Sequence, residues 1–446
     1  MKRHALTAGT LLAMMSLMAA ACAPPAPEVV EVTRLVVRRE EVTREVVKEV
    51  DVITAVEVEK EPDQVAIVMW TTEGVADGGL QFVQSLADAY SAEHPNVMFE
   101  ITNKDPDKLR EDFLTTTSTG AMPDLLWTVN DDVEPFTDAQ LILATDDLVN
   151  LDKYVGSALA ALRLSGNTWG VPIANGNHLM LLYNRALMEE APFTTDELIE
   201  KGLELTTGDR YGLAFNQDHP FWLVPWLGGF RGSVFASDGK TPTLDTPEMV
   251  ATLQFLHDIK YDTPLVPVDS NYDRADALFK EGKAAMLING DWSLDGYQNA
   301  LGGMLGVARI PTVSATGEWP RPYLSGVSFM LPVGLKGAAE AKMEAVKGYI
   351  KFVTNPVNQI FMVAKLGRLP ALVAALDDPL IANDPILNGS ADQMQLGIPM
   401  PAVSEMRCNW DAMRPEMRAV LADTKSPEEA AADMQTAAER CVAMLE

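Results

Sequence analysis

Between residues 65 and 127 short continuous apolar runs alternate with stretches of helical period, and that rhythm restricts the fold more than any other feature. Val65-Ala66-Ile67-Val68-Met69-Trp70 reads as a strand buried on both faces. Residues 80–93 place Phe82, Val83, Leu86, Ala89 and Tyr90 on one helical face, and His94-Pro95-Asn96 ends them. The next strand spans 97–101 and the next helix 107–116. A Gly-containing turn at 120–123 then leads into Asp124-Leu125-Leu126-Trp127. Strand, helix, strand, helix, strand is the βαβ order of a parallel sheet. At 446 residues the chain exceeds what one simple core organises, so two lobes are expected.

A second constraint sits at 273–292, DRADALFKEGKAAMLINGDW. Ala275, Leu278 and Phe279 share a helical face, and Gly282 supplies the left-handed residue that stops the helix. Residues 284–288 form a buried strand, and the turn Asn289-Gly290-Asp291 delivers Trp292 past its carboxyl end. In open α/β sheets that edge faces the ligand crevice. Trp292 is then either a lid on the core or a platform for a bound molecule.

The amino terminus is different material. Lys2, Arg3 and His4 precede an apolar run over 5–21, the pattern of a secretory signal peptide. Ala19-Ala20-Ala21-Cys22 resembles a bacterial lipobox, with Ala where Leu is commoner three residues before the Cys. That implies cleavage before Cys22 and acylation there; ordinary cleavage beside an incidental Cys is the alternative. Residues 22–63 alternate Val irregularly with charges, and EVTRLVVRRE at 31–40 is followed by EVTREVVKEV at 41–50. A ten-residue repeat fits neither coiled-coil period. The segment reads as a spacer, with a self-associating stalk as the second reading.

A net charge of −28 argues against nucleic acid, which needs clustered cations. The five histidines are scattered, and no Cys/His spacing suits zinc. Cys408 and Cys441 are the only other cysteines. Outside the cytoplasm two such thiols often pair, but the sequence leaves open whether their Cα atoms approach closely enough.

The strand–helix order through HPNV at 94–97 and the Gly-to-Asp turn before Leu125 resembles the first lobe of extracytoplasmic solute-binding proteins of ABC importers, of the maltose-binding type. Five further stretches are similar to that family in the same order. They are WGVPI at 169–173 running on to LLYN, NQDHPFWLVP at 216–225, and FKEGKAAMLINGDW. RIP at 309–311 with LSGV at 324–327, and the loop from Met400 to Trp410, complete them. The resemblance implies an α/β, type II periplasmic-binding fold with two lobes, each a mainly parallel sheet flanked by helices, and a cleft between them. Residues 64–175 with 328–365 would form the first lobe, and 176–327 with 366–446 the second. Gly176, Gly326 and Gly367 lie near the three crossings.

The implied function is a carbohydrate receptor that delivers its ligand to ABC permease subunits in the membrane. It would act as a monomer without a cofactor, anchored outside the cytoplasm by lipid on Cys22. Sugars stack their C–H faces on aromatic rings while polar groups take the hydroxyls. Trp292 and Trp410 match the family's stacking positions. Phe221 falls on its second-lobe ring, with Trp222 adjacent, and one of that pair faces the ligand and the other the core. Asp131 aligns with a family carboxylate, although Thr128 stands where a Trp is expected. Asn177 and His219 replace family Glu residues, and Glu73 is a further candidate, a solvated loop charge being the other reading.

Three other classes remain. A receptor for a non-sugar solute needs only different polar groups in the same cleft. An adhesion module on the valine-rich stalk needs no small ligand. An envelope glycosidase needs two carboxylates at a defined separation. The ligand loops hold Asn, His and Asp rather than two aligned acids, and Ser237-x-x-Lys240 lacks the companions of an acyl-transfer site.

Overall fold

The structure, a computed structural model, describes residues 64–75, 78–116 and 120–445. The expected signal peptide at 1–21, Cys22 and the spacer at 22–63 lie outside the described residues.

Two sheets organise the chain. The first begins with β1 (Val65–Thr71), β2 (Val97–Asn103), β3 (Leu125–Val129), β4 (Ile142–Leu143) and β5 (Val171–Ala174). The second comprises β6 (Leu179–Asn184), β7 (Tyr211–Phe215), β8 (Ala284–Gly290) and β9 (Leu305–Ala308). Short β10 (Tyr323–Leu324) leads back to β11 (Val327–Pro332), which completes the first sheet, and β12 (Ile398–Pro399) pairs with β10.

β1 pairs parallel with both β2 and β3, as the βαβ order requires. β11 instead runs antiparallel to β3, β4 and β5. In the second sheet β8 is parallel to β7 but antiparallel to β6, and β9 is antiparallel to β6. Both sheets are therefore mixed, a refinement of the mainly parallel sheets implied above. Parallel neighbours need a long crossover between them. β6 and β11 arrive directly across the waist of the molecule and enter against their neighbours.

Side chains leave each strand alternately to two covered faces. Ile67, Met69, Leu125, Trp127 and Phe329 pack on one side of the first sheet, under the helices Gly79–Glu93 and Glu340–Val353. Trp70, Leu126 and Met330 pack on the other, with Leu109 and Phe113 of the helix Pro106–Leu114. The second sheet repeats the scheme, with Leu181, Leu213, Met286 and Ile288 on one face and Met180, Leu182, Ala214 and Leu287 on the other. Burial on both faces explains why these strands read as continuous apolar runs. Each large side chain so enclosed contributes about 1.5–3 kcal/mol.

The chain crosses between the sheets at Asn175-Gly176-Asn177-His178 and again at Ser325-Gly326. The third crossing lies later than the boundary expected at 366. Gly367 does cap the helix Pro356–Leu366, with φ 66°. Beyond it, however, Ala371, Leu372 and Ala375 still belong to the first-sheet core, and Pro370 bridges to Ala174. The backbone N–H of Val155 donates to the Ala371 carbonyl at 2.8 Å, which holds this segment to the first lobe. The helix Pro385–Met394 is the next to join the second sheet, through Ile386.

Cys408 and Cys441 are joined in a disulfide between the helices Glu405–Leu421 and Pro427–Val442. It closes a loop with a sequence separation of 33, so replacing both by Ser should cost about 2–4 kcal/mol. Urea denaturation of the double variant, and of the native protein under reductant, should show the same lower midpoint. Midpoints equal to that of the oxidised protein would mean that the bridge contributes no stability.

Candidate functional site

A cleft of about 490 Å³ opens between the two sheets, within the size range of small-molecule sites. Its lining contains Trp292, Trp410, Phe221, Trp222, Asp131, Asn177, His219 and Glu73. One wall is aromatic and the other is charged.

The aromatic wall belongs to the second lobe. Parallel strands β7 and β8 both end at the cleft, and a short 3-10 helix begins directly after β8 and four residues after β7. After β7 the helix Pro220–Trp222 presents two adjacent rings. Trp222 is buried, and its Nε1–H donates to the Ile288 carbonyl at 2.8 Å, tying it to β8. Phe221 is half-buried and sits 6.2 Å from Trp292 and 6.3 Å from Trp410, ring centre to ring centre. Phe221 is thus the ring of the pair turned outward.

After β8 the helix Asp291–Ser293 carries Trp292, half-buried, whose Nε1–H donates to the Tyr272 hydroxyl at 3.0 Å. The strand runs two residues further than the sequence suggests, because Asn289 and Gly290 pair with Met180 and Leu179. Trp292 folds back over this end. A Cβ on Gly290 would stand 2.0 Å from the indole, so only glycine leaves room for the ring. Trp410 comes from the helix Glu405–Leu421, two residues beyond Cys408 of the disulfide.

The opposite wall comes from the first lobe. The Arg110 Nε donates to Asp132 Oδ1 at 2.6 Å, Nη2 to Asp131 Oδ2 at 3.2 Å and Nη1 to Asp107 Oδ1 at 3.3 Å. Burial and then the neighbouring Asp132 push the Asp131 carboxyl up to about 6, against the pull of Arg110. Glu73 is buried rather than solvated. Its Oε1 accepts from Trp127 Nε1 at 3.0 Å and from Arg368 Nη1 at 2.6 Å, while Oε2 has no hydrogen-bond partner.

Between the walls, Asn177 adopts a left-handed backbone with φ 48°, and its N–H donates to Asp291 Oδ2 at 3.2 Å. Burial and then Arg414 lower the His219 imidazole to about 4, so it is neutral at pH 7. His219 Nδ1 accepts from the Phe221 N–H at 3.1 Å. The neutral ring therefore carries its proton on Nε2 and is a hydrogen-bond donor there. Among the described residues no group of three or more His, Cys, Asp or Glu could hold a metal.

Sequence reading missed Tyr272, Asn216, Asp107 and Arg110, all of which line the cleft. Tyr272 directly precedes the stretch singled out above, at the start of the helix Tyr272–Lys280. Arg110 sits in a helix of mostly charged residues, where nothing local distinguishes it from a solvated cation.

Two mixed α/β lobes with repeated chain crossings and a cleft between them define a binding protein of the two-lobed periplasmic class. Residues 85–389 match the bacterial extracellular solute-binding proteins, and the chain belongs to that family. Among its relatives, a maltotriose-binding protein of Pyrococcus abyssi is 28% identical over 80% of this chain and 78% of its own. A maltooligosaccharide ABC transporter solute-binding lipoprotein of Streptococcus pneumoniae is 23% identical over 81% of this chain and 86% of its own. The maltose/maltodextrin-binding domain of Bdellovibrio bacteriovorus, solved with maltotriose bound, superposes with a TM-score of 0.80. It is 33% identical, over 85% of this chain and all of that one.

Gly290 has an ordinary φ of −102°, so any cost of replacing it comes from contact with the indole alone. Gly290→Ala should lower the unfolding free energy by about 1–3 kcal/mol, the usual cost of overpacking, and shift the tryptophan emission. Unchanged emission and stability would show that Trp292 is free to leave its seat.

Proposed function

We propose that this protein is the extracytoplasmic receptor of an ABC importer and captures a maltooligosaccharide-like sugar between its lobes. The observation that carries this reading is the pairing of an aromatic wall with a carboxylate-bearing wall in one cleft. A sugar ring needs both, an apolar face to stack and acceptors for its hydroxyls. The names of the relatives above support the same ligand class and the coupling to an ABC transporter. In this reading Trp292, Phe221 and Trp410 stack, Trp222 backs them, and Asp131, Asn177, His219 and Glu73 meet hydroxyls. Ligand would favour the closed arrangement of the lobes through its higher affinity for that state, and the closed receptor would engage the permease. The receptor works as a monomer, tethered by lipid on Cys22.

Capture without turnover fits the cleft's carboxylates. Glycoside hydrolysis needs one carboxyl free to donate a proton and another free to attack or activate water. Of the four carboxylates that line the cleft, Glu73, Asp107 and Asp131 are each paired with an arginine, and Asp105 caps the helix Pro106–Leu114. Incubation with maltotriose should return the trisaccharide intact, and hydrolysis abolished by Asp131→Asn would overturn the receptor reading.

Calorimetric titration with maltotriose should show binding, with a raised melting temperature. Trp292→Ala should weaken it by at least about 2 kcal/mol, roughly thirtyfold, as expected for an aromatic anchor, and still unfold cooperatively without ligand. Stabilisation by a non-sugar solute and by no sugar would refute the sugar assignment.

A further inference from the structure

One guanidinium on the first-lobe wall serves three carboxylates. Arg110 is buried with 9% of its side chain exposed, and reaches Asp132, Asp131 and Asp107 through three different nitrogens. Asp132 is fully buried and also accepts from the Thr128 hydroxyl at 2.9 Å, so it is internal structure. Asp131 differs from it, because it lines the cleft with 18% of its side chain exposed. Arg110 occupies its Oδ2, and Ser325 Oγ stands 3.5 Å from Oδ1. A carboxylate offers about four acceptor sites, so capacity remains toward the cleft. Asp107 is also held by Arg414, 3.2 Å away on the second-lobe helix Glu405–Leu421. A second cation therefore joins the cluster from across the cleft.

We propose that Arg110 is a positioning residue for ligand capture: it fixes Asp131 in its ionised form and in one orientation, as an acceptor of ligand hydroxyls. This rests on the sugar reading above for its ligand, but not for its effect on Asp131. Without the guanidinium, Asp131 would face Asp132 and Asp107 with no cation in contact, and burial would favour its protonated form. Arg407, on the small cavity behind Asp131, and Arg414, beyond Asp107, are the other cations near it. His219 is neutral above about pH 4 and adds no charge at pH 7.

The sign of the pH dependence follows. A hydroxyl donates to the carboxylate and not to the carboxylic acid's own O–H. Maltotriose affinity should be full above the Asp131 midpoint near 6 and fall as pH drops through it. Arg110→Met should move that midpoint up by at least about one pH unit, since a contacting opposite charge lowers a carboxyl by about 1–3. Affinity should then be weak at pH 7 and largely recovered above pH 8, with Arg110→Lys intermediate. Asp131→Asn should be flat with pH, with or without Arg110. The midpoint is also read without sugar, by a carboxyl-carbon NMR titration of the unliganded protein, the Asp131 signal being identified by its loss in Asp131→Asn. Affinity lowered equally at every pH, or an Asp131 midpoint unmoved by Arg110→Met, would overturn the proposal. Failure of the native protein to bind maltotriose while the midpoint still moves would reject the ligand and leave the clamp standing.

Discussion

Everything in the cleft depends on how the backbone passes between the lobes. Gly176 and Gly326 cross with φ values of 134° and 129°, a region closed to most side chains. They are also crowded. A Cβ on Gly176 would stand 2.3 Å from Asp291 Oδ2, and one on Gly326 would stand 2.8 Å from Asn130 Nδ2. The two crossings bond to each other through the Ser325 N–H, which donates to the Gly176 carbonyl, and the Asn130 N–H just beyond β3 donates to that of Gly326. The segment at 369 joins them through the Asn175 N–H. Buried backbone polar groups must find partners, and three strands of chain at a narrow waist provide them for each other. Asp291 ties this waist to the ligand wall, since its carboxylate accepts from Asn177 and the next residue is Trp292. A rotation at the crossing is therefore felt one residue from the platform.

Charge on the opposite wall obeys a related constraint. A buried carboxylate is costly unless it is paired, and this lobe sets buried Glu73 and Asp132 and half-buried Asp131 around one cleft. Arg368 and Arg110 meet that demand from different elements, a post-helix segment near the waist and the helix Pro106–Leu114. Asp107 is held below its ordinary value although burial opposes this, because Arg110 and Arg414 both attract its charge. The Arg414 contribution exists only while the two lobes are near each other. Lobe separation removes a cation from a cluster already rich in anions, so closure and the ionisation of this wall support one another.

Much of this arrangement was legible in the sequence because it is written in short-range pattern. The buried strand at 284–288 and the turn after it located Trp292 at the cleft edge, the family resemblance placed Phe221 and Trp222 beside it, and the glycines marked two of the crossings. What was not legible depends on long-range pairing. The third crossing could not be read from Gly367, since that residue does stop a helix, and only pairing with residues near 154 and 174 keeps the following segment in the first lobe. Mixed sheet direction was hidden for the same reason, because a strand's own residues do not record which way its neighbour runs. Arg110 looks like any exposed cation until Asp131 and Asp132 are brought to it. For Glu73 the sequence leaves a cleft candidate and a solvated loop charge side by side, and only its enclosure by Trp127 and Arg368 removes the second.

The two walls differ in which hydrogen-bond partner they offer, and this bears on selectivity. Ionised Asp131 can only accept. Neutral His219, with Nδ1 committed to the Phe221 N–H, can only donate from Nε2. A hydroxyl lying between the walls then donates to one lobe and accepts from the other, which fixes its orientation. Two carboxylate walls would instead compete for the same proton. The neutral imidazole also adds no negative charge to the cleft, in a chain whose total is already −28. Under the proposed sugar reading, acidic surface and selective cleft are thus separable, since neutral donors as well as carboxylates line the cleft.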